Sequence, residues 1–230
     1  MSLLQIPPPD SRLIAYGSNG SGKSQAILTF LRVAVKDPRF DRVLVIDSKE
    51  EIELPGYVVV KNLSSWRWKF YRKIIYRPDD EHKNAASFTR LFRSILNRQR
   101  KLRNKRKPLK PYLIFCDEGL YLSKMGTSVS RALGDIAIVG RSLKIGLWML
   151  SQRPRSIPVE IRSEAWYVYV FALQYQDDAK EISNSTKGTI PFKELLEPRD
   201  DFGFWEIVRS KGGGRQEIRY RKPIRLDTGI

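Results

Sequence analysis

Cysteine and histidine are nearly absent from this 230-residue chain, with one of each, Cys116 and His82. A single cysteine excludes an intramolecular disulfide and fits a reducing compartment. Cys116 sits in an apolar run and His82 far from it in a polar one, which argues against a Cys/His metal site. A Ser-His-Asp or Cys-His nucleophile system would have to use His82, so both are set aside. Long apolar runs are missing too, and none approaches the ~20 residues of a membrane span. Met1 to Asp10 lacks a basic region followed by a long apolar core, so it does not read as a secretory signal. Acid is scarce relative to base: 25 Asp and Glu stand against 42 Lys and Arg, a formal net charge of +17. A surface this basic suits a polyanionic partner, nucleic acid first and an anionic membrane second. The hydrophobic fraction of 41% is ample for a core.

What is present centres on Gly17-Ser18-Asn19-Gly20-Ser21-Gly22-Lys23-Ser24, which follows G-x-x-x-x-G-K-[ST]. Glycines permit backbone shapes that a β-carbon forbids, and successive N–H groups then turn inward as an anion cradle at a helix N-terminus. Lys23 is placed to reach the β- and γ-phosphates of ATP, and the Ser24 hydroxyl to ligate Mg²⁺. Arg12 to Tyr16 reads as a short buried strand before the loop. Ser24 to Val35 reads as a helix apolar on nearly every face after it. Strand–loop–helix is the context the motif requires.

The remaining chain alternates strands and helices. Arg42 to Ile46 is a β-branched run of the kind buried on both faces of a parallel sheet, and it ends in the charged cluster Asp47-Ser48-Lys49-Glu50. Ligands bind at that strand edge in open α/β sheets. Tyr57 to Val60 and Lys73 to Tyr76 are further short strands. Trp66 to Lys73 interleaves aromatic and basic residues. Residues 86 to 105 form one helix with Phe88, Leu91, Phe92, Ile95 and Leu96 on a single face. Beyond Leu96 that face fades into a basic projection. Pro111 to Cys116 is a buried strand, Thr127 to Ser142 a helix, Ile145 to Leu150 and Trp166 to Ala172 strands. Gly203 to Val208 and Gln216 to Tyr220 flank a basic, glycine-rich hairpin tip, Lys211 to Arg215. The pattern predicts one doubly wound α/β domain over 1–230: an arm at 1–10 that includes Pro7-Pro8-Pro9, a core at 11–175 and an extension with the hairpin at 176–230.

Two further elements carry chemistry. Tyr112 to Cys116 followed by Asp117-Glu118 places an aspartate at the end of a buried strand, where it holds Mg²⁺ through water, and a second acid that polarises the attacking water. The acidic pair points to ATP hydrolysis. Asn104-Lys105-Arg106-Lys107 lacks the aspartate of a guanine-specific N-K-x-D signature. Gln152 ends the strand at 145–150, from which its amide can touch both the γ-phosphate and the attacking water. The alternative for Gln152 is a polar residue opening a loop, since Arg153-Pro154 is a turn-like break.

Taken in order, Gly22-Lys23-Ser24, Asp47-Ser48-Lys49, Phe115-Cys116-Asp117-Glu118, and Gly140-Arg141 leading to Ser151-Gln152-Arg153-Pro154 resemble the FtsK/HerA superfamily of DNA-pumping ATPases. The resemblance covers residues 11 to 175, and its compact form looks like the genome-packaging ATPases of tailless, membrane-containing double-stranded DNA viruses. It implies a RecA-like core with a mainly parallel sheet and helices on both faces. It also implies a homo-oligomeric ring, a hexamer in the family, with double-stranded DNA through the pore. Other implied partners are capsid vertex or membrane proteins, and the implied location is the host cytoplasm during assembly or a virion vertex. Family members use an arginine finger from the neighbouring subunit. Arg141 matches that position, with Arg131 and Arg153 as rivals.

For DNA, the basic residues Arg98, Arg100, Lys101, Arg103, Lys105, Arg106 and Lys107, together with Lys211 and Arg215 at the hairpin tip, supply phosphate contacts without a base code. Trp66 and Trp68 are open to two uses, stacking on bases or packing against the sheet edge. Three other functions remain open from sequence: a filamentous-phage-type assembly or secretion ATPase, a small-molecule kinase, and a non-catalytic nucleic-acid-binding protein.

Overall fold

Runs of β-branched residues buried on both faces demand a parallel sheet with helices on either side, and the structure supplies one. The structure, a computed structural model, describes residues 6–63, 70–81, 83–197, 202–210 and 216–222. Trp66, Trp68, His82, Lys211 and Arg215 lie outside them. The elements run β1 (Arg12–Tyr16), α1 (Lys23–Ala34), β2 (Arg42–Ile46), β3 (Val58–Val60), β4 (Lys73–Tyr76), α2 (Ala85–Asn104), β5 (Tyr112–Cys116), α3 (Gly119–Lys124) and α4 (Thr127–Val139). After these come β6 (Ile145–Ser151), α5 (Val159–Ser163), β7 (Tyr167–Val170), α6 (Gln176–Ser185), α7 (Phe192–Leu196), β8 (Phe204–Arg209) and β9 (Gln216–Arg221). They build one sheet of nine strands in the order β3-β4-β2-β5-β6-β1-β7-β8-β9. The first seven are parallel, and β8 and β9 are added antiparallel. The α/β fold with a mainly parallel sheet, helices on both faces and a C-terminal hairpin is therefore as expected.

Alternate strand residues feed two cores. On one face Leu13, Ala15, Val43, Val45, Phe115 and Trp148 pack against Ile27, Phe30 and Leu31 of α1. On the other, Ile14, Leu44, Ile114 and Met149 meet α2 and α4. Helix α1 is less apolar all round than its sequence suggests: Gln25 and Arg32 are exposed, because only one side of it meets the sheet. The predicted helix 127–142 stops at Val139 and tightens into a 3₁₀ turn at Gly140–Leu143. Helix α2 starts on Asn84, whose side chain accepts the Ser87 N–H. The Gln99 amide at its far end donates to the carbonyls of Lys110 and Leu143, anchoring the helix where its apolar face gives out.

The segment after residue 175 joins the same sheet. Phe204 of β8 stacks on Phe171 at 4.8 Å between ring centroids. Two cations, Arg12 buried and Lys73 half-buried, close helix ends in ways no periodicity foretells. Arg12, 2% exposed, donates to the carbonyls of Ile136 and Ala137 in the last turn of α4. Lys73 does the same at Ala34, the last residue of α1.

Candidate active site

The parallel strands all end at one edge of the sheet, and their order sets the site. Strand β6 lies between β1 and β5, with Tyr16 level with Ser151 and Cys116 level with Met149. The edge therefore reads Asp47 after β2, Asp117 after β5, Gln152 closing β6, Gly17 after β1 and Phe171 after β7. Gly17 to Ser24, Asp117, Glu118 and Gln152 all follow strands that end at that edge.

The loop is shaped for an anion. Its Gly17 N–H donates to Ser151 and its Ser18 N–H to Ala172, pinning it between β6 and β7. No hydrogen bond among the described residues engages the N–H groups of Asn19, Gly20 or Gly22. Helix α1 begins with no side-chain cap and no acid in its first turn, so its dipole is left for a ligand. Gly22 adopts φ 89, a left-handed conformation that disfavours any other residue. A Cβ at Gly17 would lie 2.7 Å from that of Phe171.

Burial pushes two charged groups beside the loop, Lys23 and Asp117, toward their neutral forms. Burial lowers the Lys23 pKa from the ordinary lysine value; Asp117 and Glu118 oppose that shift and Lys49 adds to it. In this state the Lys23 ammonium donates to the Ser18 carbonyl at 3.3 Å. Burial raises the Asp117 pKa, Lys49 opposing, and its buried Oδ1 has no hydrogen-bond partner. A buried unpaired carboxylate oxygen is costly unless a cation or water meets it. No group of three or more metal-ligating side chains occurs among the described residues. Mg²⁺ keeps most of its waters and takes one or two protein ligands. Ser24 and Asp117 fit it.

The cluster after β2 divides its labour. Asp47 is fully buried and structural: it accepts the N–H groups of Glu51 and Ile52 and pairs with Arg77 at 2.9 Å. Lys49 instead reaches Glu118, Nζ to Oε2 at 3.0 Å. Sequence reasoning marked Asp47 to Glu50 only as a charged edge and missed Arg77; an arginine ending a buried strand was the available signal.

At Gln152 the turn is locked by Ser151, whose hydroxyl donates to the Arg153 carbonyl at 2.9 Å and accepts the Arg153 N–H at 3.2 Å. The Gln152 side chain is half-buried. Arg153 turns away, bound to the buried Asp178 at 2.9 Å and stacked over Tyr175 at 4.3 Å. Arg141 is not brought to the loop. It precedes β6, so the seven-residue strand holds it about 20 Å from Gln152 at the opposite edge. There it is exposed and lies 4.2 Å over the Trp166 ring. Arg131 is exposed on α4.

The basic residues also gather at that opposite edge. Helix α2 crosses from β4 back to the start of β5, so Arg100, Lys101, Arg103, Lys105, Arg106 and Lys107 project, exposed, from the edge away from the loop, with Arg98 half-buried. Strand β8 runs the same way, its Arg209 N–H donating to Trp166 at the start of β7. The sequence-predicted contacts Lys211 and Arg215 lie outside the described residues.

No family profile matches the chain, and no curated protein matches it in sequence. Solved structures do match in fold. The genome-packaging NTPase B204 of Sulfolobus turreted icosahedral virus 2, in complex with AMPPCP, aligns with a TM-score of 0.70 at 18% identity, over 95% of this chain and 100% of that one. The fold is that of a RecA-like P-loop NTPase. The EssC ATPases 2 and 3 from Geobacillus thermodenitrificans align at 0.62 and 14% identity, over 95% of this chain and 40% of that one. The cytoplasmic domain of the type VII secretion ATPase EccC of Thermomonospora curvata aligns at 0.64 and 16%, over 98% and 26%.

Proposed function

We propose that the chain is an FtsK/HerA-superfamily ATPase that drives double-stranded DNA, packaging a viral genome into a preformed capsid. The observation that supports the hydrolytic part is the strand order: β6 lies between the loop strand and the Asp117 strand, which puts Gln152 between Gly17 and Asp117 along the sheet edge. The DNA part is supported by a net charge of +17, a basic edge remote from the loop and a fold shared along its whole length with a packaging NTPase.

In this reading the loop amides and Lys23 hold the β- and γ-phosphates of ATP, and Ser24 and Asp117 hold Mg²⁺. The metal, when bound, withdraws charge from the phosphoryl oxygens. Glu118 accepts a proton from the attacking water. Gln152 bonds the γ-phosphate and that water, and its loss of a partner after hydrolysis is transmitted into the Ser151–Ser156 turn. Arg141 lies too far to act on its own loop. As a finger it serves the next copy in a homo-oligomeric ring. The exposed basic edge contacts phosphates of the duplex and reads no base.

A secretion motor is the second reading, favoured by the fold shared with EssC and EccC. No helix among the described residues is long and apolar enough to cross a membrane. The deciding experiment is displacement of a third strand from linear duplex in the presence of ATP. Displacement that needs ATP and Lys23 supports a DNA motor. Absence of displacement together with turnover indifferent to duplex contradicts it.

A further inference from the structure

Phe202 is a large apolar side chain left 51% exposed, and it sits on the phosphate loop. A Cβ built on Gly22 would lie 3.1 Å from the Phe202 Cβ and 3.2 Å from its Cδ1. Its backbone is held at φ 52, an outlier for a bulky residue. Strained conformations persist where the surroundings over-determine them, and they gather at ligand clamps. The surroundings are on hand. Two residues on, Phe204 is fully buried and stacked on Phe171. Phe171 in turn abuts Gly17 of the loop.

The edge order says which part of a nucleotide meets it. Asp117, Glu118 and Gln152 lie on the β5–β6 side of the loop, so the terminal phosphate points that way. The nucleoside must leave on the other side, toward β7 and β8, where Phe202 stands. We infer that Phe202 is the platform on which the nucleobase stacks. This rests on the nucleotide site proposed above. A phenyl face offers no hydrogen bonds, so it binds a purine by contact area and separates adenine from guanine poorly.

The test is calorimetric titration of Mg²⁺–ATP analogue and of inorganic tripolyphosphate, which has the phosphates but no base. Phe202→Ala weakens the nucleotide about tenfold, within the range of base–aromatic stacking, and leaves tripolyphosphate unchanged. Phe202→Leu keeps the packing on Gly22 and gives the same split if the fold tolerates alanine badly. Phe202→Tyr retains nucleotide affinity. Equal loss for both ligands overturns the inference and makes Phe202 a brace of the loop, and so does no loss for either. Failure of the wild-type protein to bind either ligand overturns the nucleotide site itself, and the platform with it.

Discussion

Lys49 and Glu118 form an ion pair at the mouth of the phosphate loop, Nζ to Oε2 at 3.0 Å. The hydrogen bond to Glu118 is the main cause that raises the Lys49 pKa. A carboxylate oxygen held by Lys49 is not free to meet the attacking water. Lys49→Ala is therefore expected to raise ATP turnover in the absence of DNA several-fold and to shrink the stimulation by duplex. Glu118→Gln is expected to lower turnover by about 10²-fold or more and to leave nucleotide binding intact. Steady-state turnover with and without duplex, beside equilibrium binding, checks both.

Two charged groups of the site work against the fold. The folded Lys23 pKa is depressed, so the half-buried cation costs stability at neutral pH, and that cost is relieved as pH rises toward the ordinary lysine value. The folded Asp117 pKa is raised, so its carboxylate costs stability at neutral pH, and the cost is relieved as pH falls through the raised value. Lys23→Met and Asp117→Asn should each raise the nucleotide-free Tm at pH 7, by about 2–4 °C for each kcal/mol relieved. Mg²⁺–ATP analogue should raise the Tm of the wild type and not that of Lys23→Met. Calorimetric scans across pH measure all of this.

Asp47 carries stability. Fully buried, it satisfies two backbone N–H groups and Arg77 at once. Asp47→Ala strands a part-buried arginine and is expected to cost about 3–5 kcal/mol in denaturant unfolding. A double variant Asp47→Ala with Arg77→Met should recover part of that loss.

The basic edge predicts a salt signature. Six to ten phosphate contacts give roughly a 10³–10⁵ fall in duplex affinity between 50 and 200 mM salt. Replacing the exposed Lys101, Lys105 and Lys107 by Gln should lower the slope of log affinity against log salt by about 0.9 for each contact removed, irrespective of sequence. Fluorescence anisotropy over a salt series reads the slope. An unchanged slope places the DNA elsewhere.

Local signals account for what could be read in advance. The loop at Gly17 to Ser24 and the strand ends at Asp117 and Gln152 were legible because each motif brings its own strand or helix. The placement of the basic run at 98–107 was not, since only the crossover direction of α2 puts it at the edge away from the loop. Arg12, Lys73 and Arg77 escaped for the same reason. Each meets a partner at least 25 residues away, and no periodicity encodes such a contact. The strain at Phe202 is a backbone property that its neighbours in the chain do not announce.

The account stands most directly on Mg²⁺-dependent ATP hydrolysis measured with and without linear double-stranded DNA, in the wild type and in Lys23→Ala. The predicted result is turnover that duplex accelerates and that Lys23→Ala abolishes. Turnover unaffected by Lys23→Ala, or indifferent to duplex at low salt, would contradict it.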